Sequence, residues 1–315
     1  MAEGKAALVT GGAGFIGSHL VDCLIENEYQ VSVVDNLSSG KLRNVNPDAT
    51  FYHQDITQAS LQEIFQRENP DIVFHLAAQI SVTESSRDPL KDGETNVIGT
   101  LRLLEASRRS GVEKFIYSST GGALYGDPLV NPCSEEASVD PLSPYGMSKF
   151  LGEKYVELYY RLHQVNYTVL RYGNVYGPRQ DPHGEAGVIA IFSQAMCEGR
   201  QPQIYGTGDQ ERDFVFVEDV VRANMLAIEE GDRTIYNIGT GKGTSINELY
   251  QELCQITSYK WDAERMPARP GEVYKIHLTS DKAFSELGWV PEVGLAEGLE
   301  KTIEFFRRVI SNTTG

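Results

Sequence analysis

Short apolar runs alternate with longer amphipathic stretches through the first half of the chain. Residues 5–10 read as a buried strand. Residues 15–27 follow with Phe15, Ile16, Leu20, Cys23 and Leu24 near helical spacing. Residues 30–35 form a second strand pattern and 51–55 a short third, followed by a helix over 60–69. In 71–77 the apolar centre is continuous (Ile72, Val73, Phe74), which suits a parallel sheet covered on both faces. A helix over 97–110 precedes a strand over 114–118, and a helix over 145–162 precedes a strand over 167–171. This β-α-β-α rhythm predicts an α/β fold of the Rossmann type, with a doubly wound parallel sheet.

The second half is less regular. Residues 178–187 are rich in Gly and Pro and read as a loop. Helices are expected over 188–198, 220–230, 247–256 and 295–309, with strands over 203–205, 214–217 and 234–239. No repeat or low-complexity tract interrupts the chain. The expectation is a smaller, discontinuous α/β C-terminal lobe closing over the nucleotide fold.

Composition narrows the field. The chain has 315 residues, 41% of them hydrophobic, and a formal net charge of −16. That places it among folded globular chains. An acidic surface argues against a nucleic-acid partner, which needs a basic stripe. An anionic ligand must therefore be captured by local Arg and backbone groups. Cys23, Cys133, Cys197 and Cys254 form no C-x-x-C pair, and no His sits at metal-ligand spacing. They read as small core residues in a reducing compartment, with no metal site. No apolar run approaches the length of a membrane span, and the start resembles no signal peptide, so a cytoplasmic location without membrane contact is expected.

Two motifs carry chemistry. In Thr10-Gly11-Gly12-Ala13-Gly14-Phe15-Ile16-Gly17 the glycines fall at 11, 14 and 17, between the first strand and the first helix. Gly11 permits a tight turn, Gly14 lets backbone N–H groups approach a pyrophosphate, and Gly17 allows close helix–strand contact. The helix N-terminus then faces the phosphates. Asp35 ends the second strand about twenty residues on, where a carboxylate can accept both hydroxyls of an adenosine ribose and repel a 2′-phosphate. NAD is thus favoured over NADP. The alternative is that Asp35 only opens the turn at 35–40. Asp55, closing the third strand, could receive an adenine amino group or simply form a turn or helix cap.

The second motif is Tyr145-Gly146-Met147-Ser148-Lys149. Positions i and i+4 share a helix face, so Lys149 can sit beside the Tyr145 hydroxyl. A phenol near its usual pKa of ~10 is a poor base; an ammonium and a positive nicotinamide ring both favour phenolate. A surface Tyr with a solvated Lys is the alternative, and the dinucleotide motif upstream weighs against it. Ser118-Ser119-Thr120-Gly121-Gly122 ends the fifth strand, at the edge where parallel sheets bind ligands. Thr120 is the preferred partner for the substrate oxygen, and Ser119 the competitor.

With these residues in place, the chain resembles the extended short-chain dehydrogenase/reductases, the NAD-dependent epimerase/dehydratase family. Within it the sequence is most similar to the compact UDP-glucose 4-epimerases. The similarity runs from Ala7 to about Phe306. It is carried by 10–17, 34–40, His75-Leu76-Ala77-Ala78, Asn96-Val97-Ile98-Gly99-Thr100, 118–126, 143–149, 171–178, 212–219, 237–241 and 269–272.

The resemblance implies an isomerase of UDP-glucose and UDP-galactose that works through a transient 4-keto sugar and tightly held NAD. It implies that Gly11, Gly14, Phe15, Ile16, Asp35, Asn36, Asp55, Ile56, Leu76, Ala77, Ala78, Asn96, Tyr145, Lys149 and Tyr172 hold NAD. Tyr145, Lys149 and Thr120 would be catalytic. Asn174, Gln203, Tyr205, Arg212, Arg269 and Glu272 would hold the UDP-sugar together with Thr120 and Tyr145. Residues 1–173 with 214–240 would bind NAD, and 174–213 with 241–315 the UDP-sugar. A homodimer through a four-helix bundle of 97–110 and 145–162 is also implied, and Leu101, Leu104, Leu151, Tyr155 and Leu158 permit it.

Family dehydratases typically carry Asp-Glu just after the Thr, and uronate decarboxylases a Glu in the same stretch. Here Gly121-Gly122 stand there, which favours epimerisation. Larger epimerases place a Lys after the His75–Ala78 equivalent, where this chain has Gln79 and Ile80. Ile276 aligns where a bulky Tyr can exclude an N-acetyl group, so UDP-N-acetylhexosamines or UDP-uronates are alternative substrates. A non-catalytic nucleotide-sugar sensor on the same fold is the rival from another class.

Overall fold

Seven of the apolar runs close into one parallel sheet. A computed structural model describes residues 4–128, 130–183, 187–268 and 273–313. In chain order the strands are β1 (Ala6–Thr10), β2 (Gln30–Asp35), β3 (Thr50–His53), β4 (Ile72–His75), β5 (Lys114–Thr120), β6 (Tyr167–Tyr172), β7 (Asn174–Tyr176), β8 (Gln203–Tyr205), β9 (Glu211–Arg212), β10 (Phe214–Phe216), β11 (Thr234–Ile238), β12 (Thr244–Ser245), β13 (Glu264–Met266) and β14 (Lys275–Ile276). The main sheet runs β3-β2-β1-β4-β5-β6-β11, and every pairing in it is parallel.

Register follows the side-chain period of two. Val9 lies opposite Val33 on one side and Phe74 on the other. Ala7, Val9, Val33, Ile72 and Phe74 enter a core with Leu20, Val21 and Leu24 of the helix Phe15–Glu26 and Val220 and Ala223 of the helix Val217–Glu229. Leu8, Val34 and Val73 point to the opposite face, against Phe65, Leu103, Leu104 and Val156. Successive residues thus serve opposite faces, which is why these strands read as unbroken apolar runs. Strand order reverses at β1, between β2 and β4, and a ligand crevice forms outside the strand ends at such a switch point.

A third core belongs to the later part of the chain. Tyr176, Phe192, Phe214, Leu249, Leu253, Leu299 and Ile303 pack together there. They come chiefly from the helices Val188–Cys197, Ile246–Thr257 and Leu295–Thr313. Three small sheets, β10-β7, β12-β9-β14 and β13-β8, flank this core. Asp213 ties these pieces to one another: its two oxygens accept from Thr240 N, Thr240 Oγ1, Gly241 N and Leu278 N at 2.6–3.0 Å. A buried carboxylate needs this set of donors to stay inside the protein.

Several short elements carry no sequence periodicity: the helices Val82–Arg87, Pro89–Gly93 and Asp281–Leu287, and strand β7. Leu104 is core, whereas Leu151 and Leu158 are exposed. All four cysteines are free thiols. Among the described residues no helix is long and apolar enough to cross a membrane.

Candidate active site

The glycine loop shapes the first cavity. Gly11 has φ +75°, and a Cβ there would lie 2.7 Å from Ala77 N. A Cβ on Gly17 would lie 2.2 Å from Gly11 O. Neither position accepts a side chain without moving backbone. Gly14 is the N-cap of the helix Phe15–Glu26, and no side chain caps it. The first-turn N–H groups are thereby left to a ligand, which is the arrangement an anion requires.

Gly11, Gly14, Phe15, Ile16, Asp35, Asn36, Asp55, Ile56, Leu76, Ala77, Ala78, Tyr145, Lys149 and Tyr172 all line this one cavity. Ser38, Ser39, Gln54 and Thr95 line it too, and no sequence signal singled them out. Asn96 is the correction. It stands behind the wall, 1% exposed, with its carboxamide engaged by Gln79, Asp92 and Ser148.

Asp35 fills both of its proposed roles. Oδ2 accepts from Ala13 N at 3.0 Å and Oδ1 from Leu37 N at 2.8 Å, so it closes the turn. Each carboxylate oxygen keeps a further acceptor site for a ribose hydroxyl. Asp55 likewise closes a turn, accepting from Thr57 N at 2.8 Å and from Asn36 Nδ2 at 2.7 Å. Burial works to raise its pKa, but the bonds from Thr57 and Asn36 hold the carboxyl below its usual value. These groups fit an unphosphorylated adenosine ribose. We expect NAD to bind at least about tenfold more tightly than NADP, a difference of about 1.4 kcal/mol; a fluorescence titration with both nucleotides reads this, and tighter NADP binding would overturn the assignment of Asp35.

Tyr145 and Lys149 stand on the helix Pro144–His163, which begins with Pro at its first turn and with Ser143 Oγ accepting from Gly146 N at 3.1 Å. Thr120, at the end of β5, hydrogen-bonds the Tyr145 hydroxyl. Ser119 is committed elsewhere: it donates to Glu153 Oε1 at 2.5 Å. The geometry therefore favours Thr120 over Ser119.

The electrostatics differ from the spacing argument. Burial, then the charge of Asp92, pushes the Tyr145 hydroxyl up to about 12, while the bond from Thr120 works to lower it. Burial brings Lys149 down to about 8, against the pull of Glu153 and Asp92. The ammonium lies 4.5 Å from the centroid of the Tyr117 ring. Being four residues from Tyr145 is thus not enough to ionise the phenol in the protein's own field. A further positive charge has to supply the rest.

A second cavity of about 520 Å³ adjoins the first, a size that suits a small ligand. Phe15, Ile16, Ile80, Ser119, Tyr145 and Tyr172 line both. Thr120, Asn174, Gln203, Tyr205 and Arg212 line the second. Asn174 Oδ1 is buried with no hydrogen-bond partner, an acceptor held for a donor the protein does not supply. The Tyr172 hydroxyl is taken by Ser118 Oγ at 3.1 Å and Asn224 Nδ2 at 2.9 Å, so its ring is what remains for a ligand. Gln203 donates to Glu264 at 2.8 Å, and Arg212 Nη1 donates to the carbonyl of Glu211 at 2.9 Å. Arg269 and Glu272 lie outside the described residues.

Ile276 is a second correction. It is 2% exposed and packs with Tyr125, Cys133 and Leu278, and it is not part of the cavity wall. Leu278 also explains Gly121: a Cβ there would come within 2.3 Å of Leu278 Cδ1. The site has no room for an acid at that position.

Glu153 was missed although its spacing was visible. It lies one turn beyond Lys149 on the same face and is fully buried. It pairs with Arg171, Oε2 to Nη2 at 2.6 Å and Oε1 to Nε at 2.9 Å, and Arg171 Nη1 in turn donates to the Tyr125 hydroxyl at 2.8 Å.

Comparison with known proteins agrees with this geometry. The UDP-glucose 4-epimerase of Mycolicibacterium smegmatis is 45% identical over 306 residues, covering 95% of this chain and 98% of that one. The crystal structure of UDP-glucose 4-epimerase with UDP-glucose from Thermotoga maritima superposes with a TM-score of 0.96 at 53% identity, covering 97% of this chain and 99% of the other. That of the Thermus thermophilus UDP-glucose 4-epimerase in complex with NAD gives 0.92 at 41% identity, over 96% and 99%. Residues 7–239 match the family itself, and the chain is a member of the NAD dependent epimerase/dehydratase family.

Proposed function

We propose that the protein interconverts UDP-glucose and UDP-galactose by inverting C4 of the hexose. The observation that carries this reading is the position of Tyr145. It bonds Thr120 and lies on the shared wall of the two cavities, with Lys149 one turn away.

Tyr145 takes the proton of the sugar 4-hydroxyl, and Thr120 holds that oxygen in line. When bound, the nicotinamide accepts the C4 hydride and returns it, and its positive charge helps Tyr145 ionise. Lys149 holds its proton near the phenol and opposes reprotonation until the sugar returns. Asn174, Arg212 and Arg269 hold the diphosphate end, with Gln203, Tyr205 and Glu272 along the uridine. Guanidinium geometry suits the two arginines to phosphate. Around the hexose, Ile80, Val188, Ile189 and Phe192 offer an apolar wall. Few polar contacts then oppose the turning of the 4-keto sugar, so either face can be presented. Elimination of water is disfavoured because Gly121-Gly122 provide no acid. Met147, Leu151, Leu158 and Leu162 are exposed along one stripe of the Tyr145 helix, which supports a homodimer through that helix.

An NMR assay of UDP-glucose, UDP-N-acetylglucosamine and UDP-glucuronate side by side tests the reading. UDP-galactose should appear from UDP-glucose without net change in NAD. A 4-keto-6-deoxy product, or conversion of only one of the other two sugars, would overturn it. With Ile276 away from the cavity, the argument for N-acetylhexosamine turnover loses its support.

A further inference from the structure

A buried polar knot joins the loop after β4 to the helix of Tyr145 and Lys149. Asn96 Oδ1 accepts from Gln79 N at 2.8 Å. Asn96 Nδ2 has Gln79 O at 2.8 Å, Asp92 Oδ1 at 3.1 Å and Ser148 Oγ at 3.1 Å within reach. Gln79 Nε2 donates to the same Asp92 oxygen at 3.0 Å. Ser148 Oγ donates to the carbonyl of Tyr145 at 2.9 Å. Asp92 is 1% exposed. Two amide donors converge on its Oδ1, which is what a carboxylate accepts and a second donor could not.

We propose that Asp92 is a positioning residue for the reaction, clamping the Gln79 loop to the Tyr145 helix and setting, by its negative charge, the pH window in which Tyr145 works. This rests on Tyr145 being the base. In a buried site the charge acts with little screening. It opposes loss of the Tyr145 proton and favours retention of the Lys149 proton.

The other groups around Tyr145 do not cancel it. On the same helix stand Lys149 and Glu153, and Glu153 is paired with Arg171 of β6. From β6 comes also the Tyr172 hydroxyl, and from β5 the hydroxyls of Tyr117 and Thr120. From β4 comes His75, which burial, then the Lys149 charge, holds well below its usual pKa and so neutral. Asp92 is thus the carboxylate near Tyr145 that has no cationic side chain bonded to it.

Replacing Asp92 by Asn removes the charge and keeps an acceptor for Gln79 and Asn96. Tyr145 then ionises at lower pH, and Lys149 loses its proton at lower pH. Activity needs the first ionised and the second protonated, so both limbs of the profile move in the acid direction. The test is kcat/KM for UDP-glucose in the holoenzyme, from about pH 5 to about pH 10, in wild type, Asp92→Asn and Asp92→Ser. The expected shift is about half a unit or more in both limbs of either variant, with bound NAD retained in Asp92→Asn. Profiles that superimpose on wild type in the folded variants overturn the proposal. A Tyr145→Phe arm separates the two ideas. If that variant turns over normally, the reading of Tyr145 as base falls, and the role of Asp92 with it. An inactive Tyr145→Phe beside unmoved Asp92 profiles sinks only Asp92.

Discussion

Replacing Tyr145 by Phe should lower kcat for UDP-glucose by about a thousandfold, the scale of a lost general base, while leaving NAD bound and the fold intact. The change deletes one oxygen. The ring stays where it packs, and Thr120 loses a single hydrogen bond. Binding of UDP-sugar should therefore change little, so the loss appears in kcat far more than in KM. Steady-state kinetics with a nucleotide-retention assay makes the comparison. Activity within about tenfold of wild type would mean that another group moves the proton, since only a 1.4 kcal/mol change in the barrier would be involved.

Replacing Glu153 by Ala should destabilise the protein by about 3–5 kcal/mol, because it leaves Arg171 buried without its counter-charge. Arg171 is 3% exposed, so water cannot take the place of the carboxylate. Ser119 also loses its acceptor, and Arg171 keeps only the Tyr125 hydroxyl of the partners that now hold it. Urea unfolding of the apo protein measures the loss. The double variant Glu153→Leu with Arg171→Met should recover part of it, since removing both charges takes away the desolvation cost together with the attraction. A single variant as stable as wild type would show that the pair contributes nothing to the fold.

These two expectations differ in how visible their basis was along the chain. The Tyr145–Lys149 spacing and the glycines at 11, 14 and 17 are local patterns. They depend on helix pitch and on which backbone angles lack a Cβ clash, so they survive without tertiary information. The bond from Ser119 to Glu153 and the orphan acceptor of Asn174 are not local. They join β5, β6 and the Tyr145 helix, and β7 itself exists only because β10 lies beside it. Three residues have no period to read. The helices Val82–Arg87 and Pro89–Gly93 are also too short for periodicity, although Ser81 and Asp88 cap them at 2.9 and 3.1 Å. The cap residues were a usable signal there, stronger than the apolar pattern.

The pKa of Tyr145 marks the boundary most clearly. A lysine four residues on announces stabilisation of a phenolate, and opposite charge does act in that sense. Burial is the larger effect here, and Asp92 adds to it. Neither is written in the spacing, because desolvation depends on everything packed around the ring. Asn96 and Ile276 repeat the lesson: alignment places a residue along the chain, and packing decides which side of a wall its side chain occupies.

From the chain alone came the parallel sheet, the glycine turn, the acidic end of β2 and the Tyr145–Lys149 pair, since each follows from short-range sterics and periodicity. Tertiary structure decided that Thr120 and not Ser119 meets Tyr145, that Asp92 faces the same buried space, and that Asn174 keeps an acceptor for a ligand. Those outcomes depend on which distant groups share a low-dielectric interior, where each hydrogen bond or charge must be matched by a neighbour that only folding brings near.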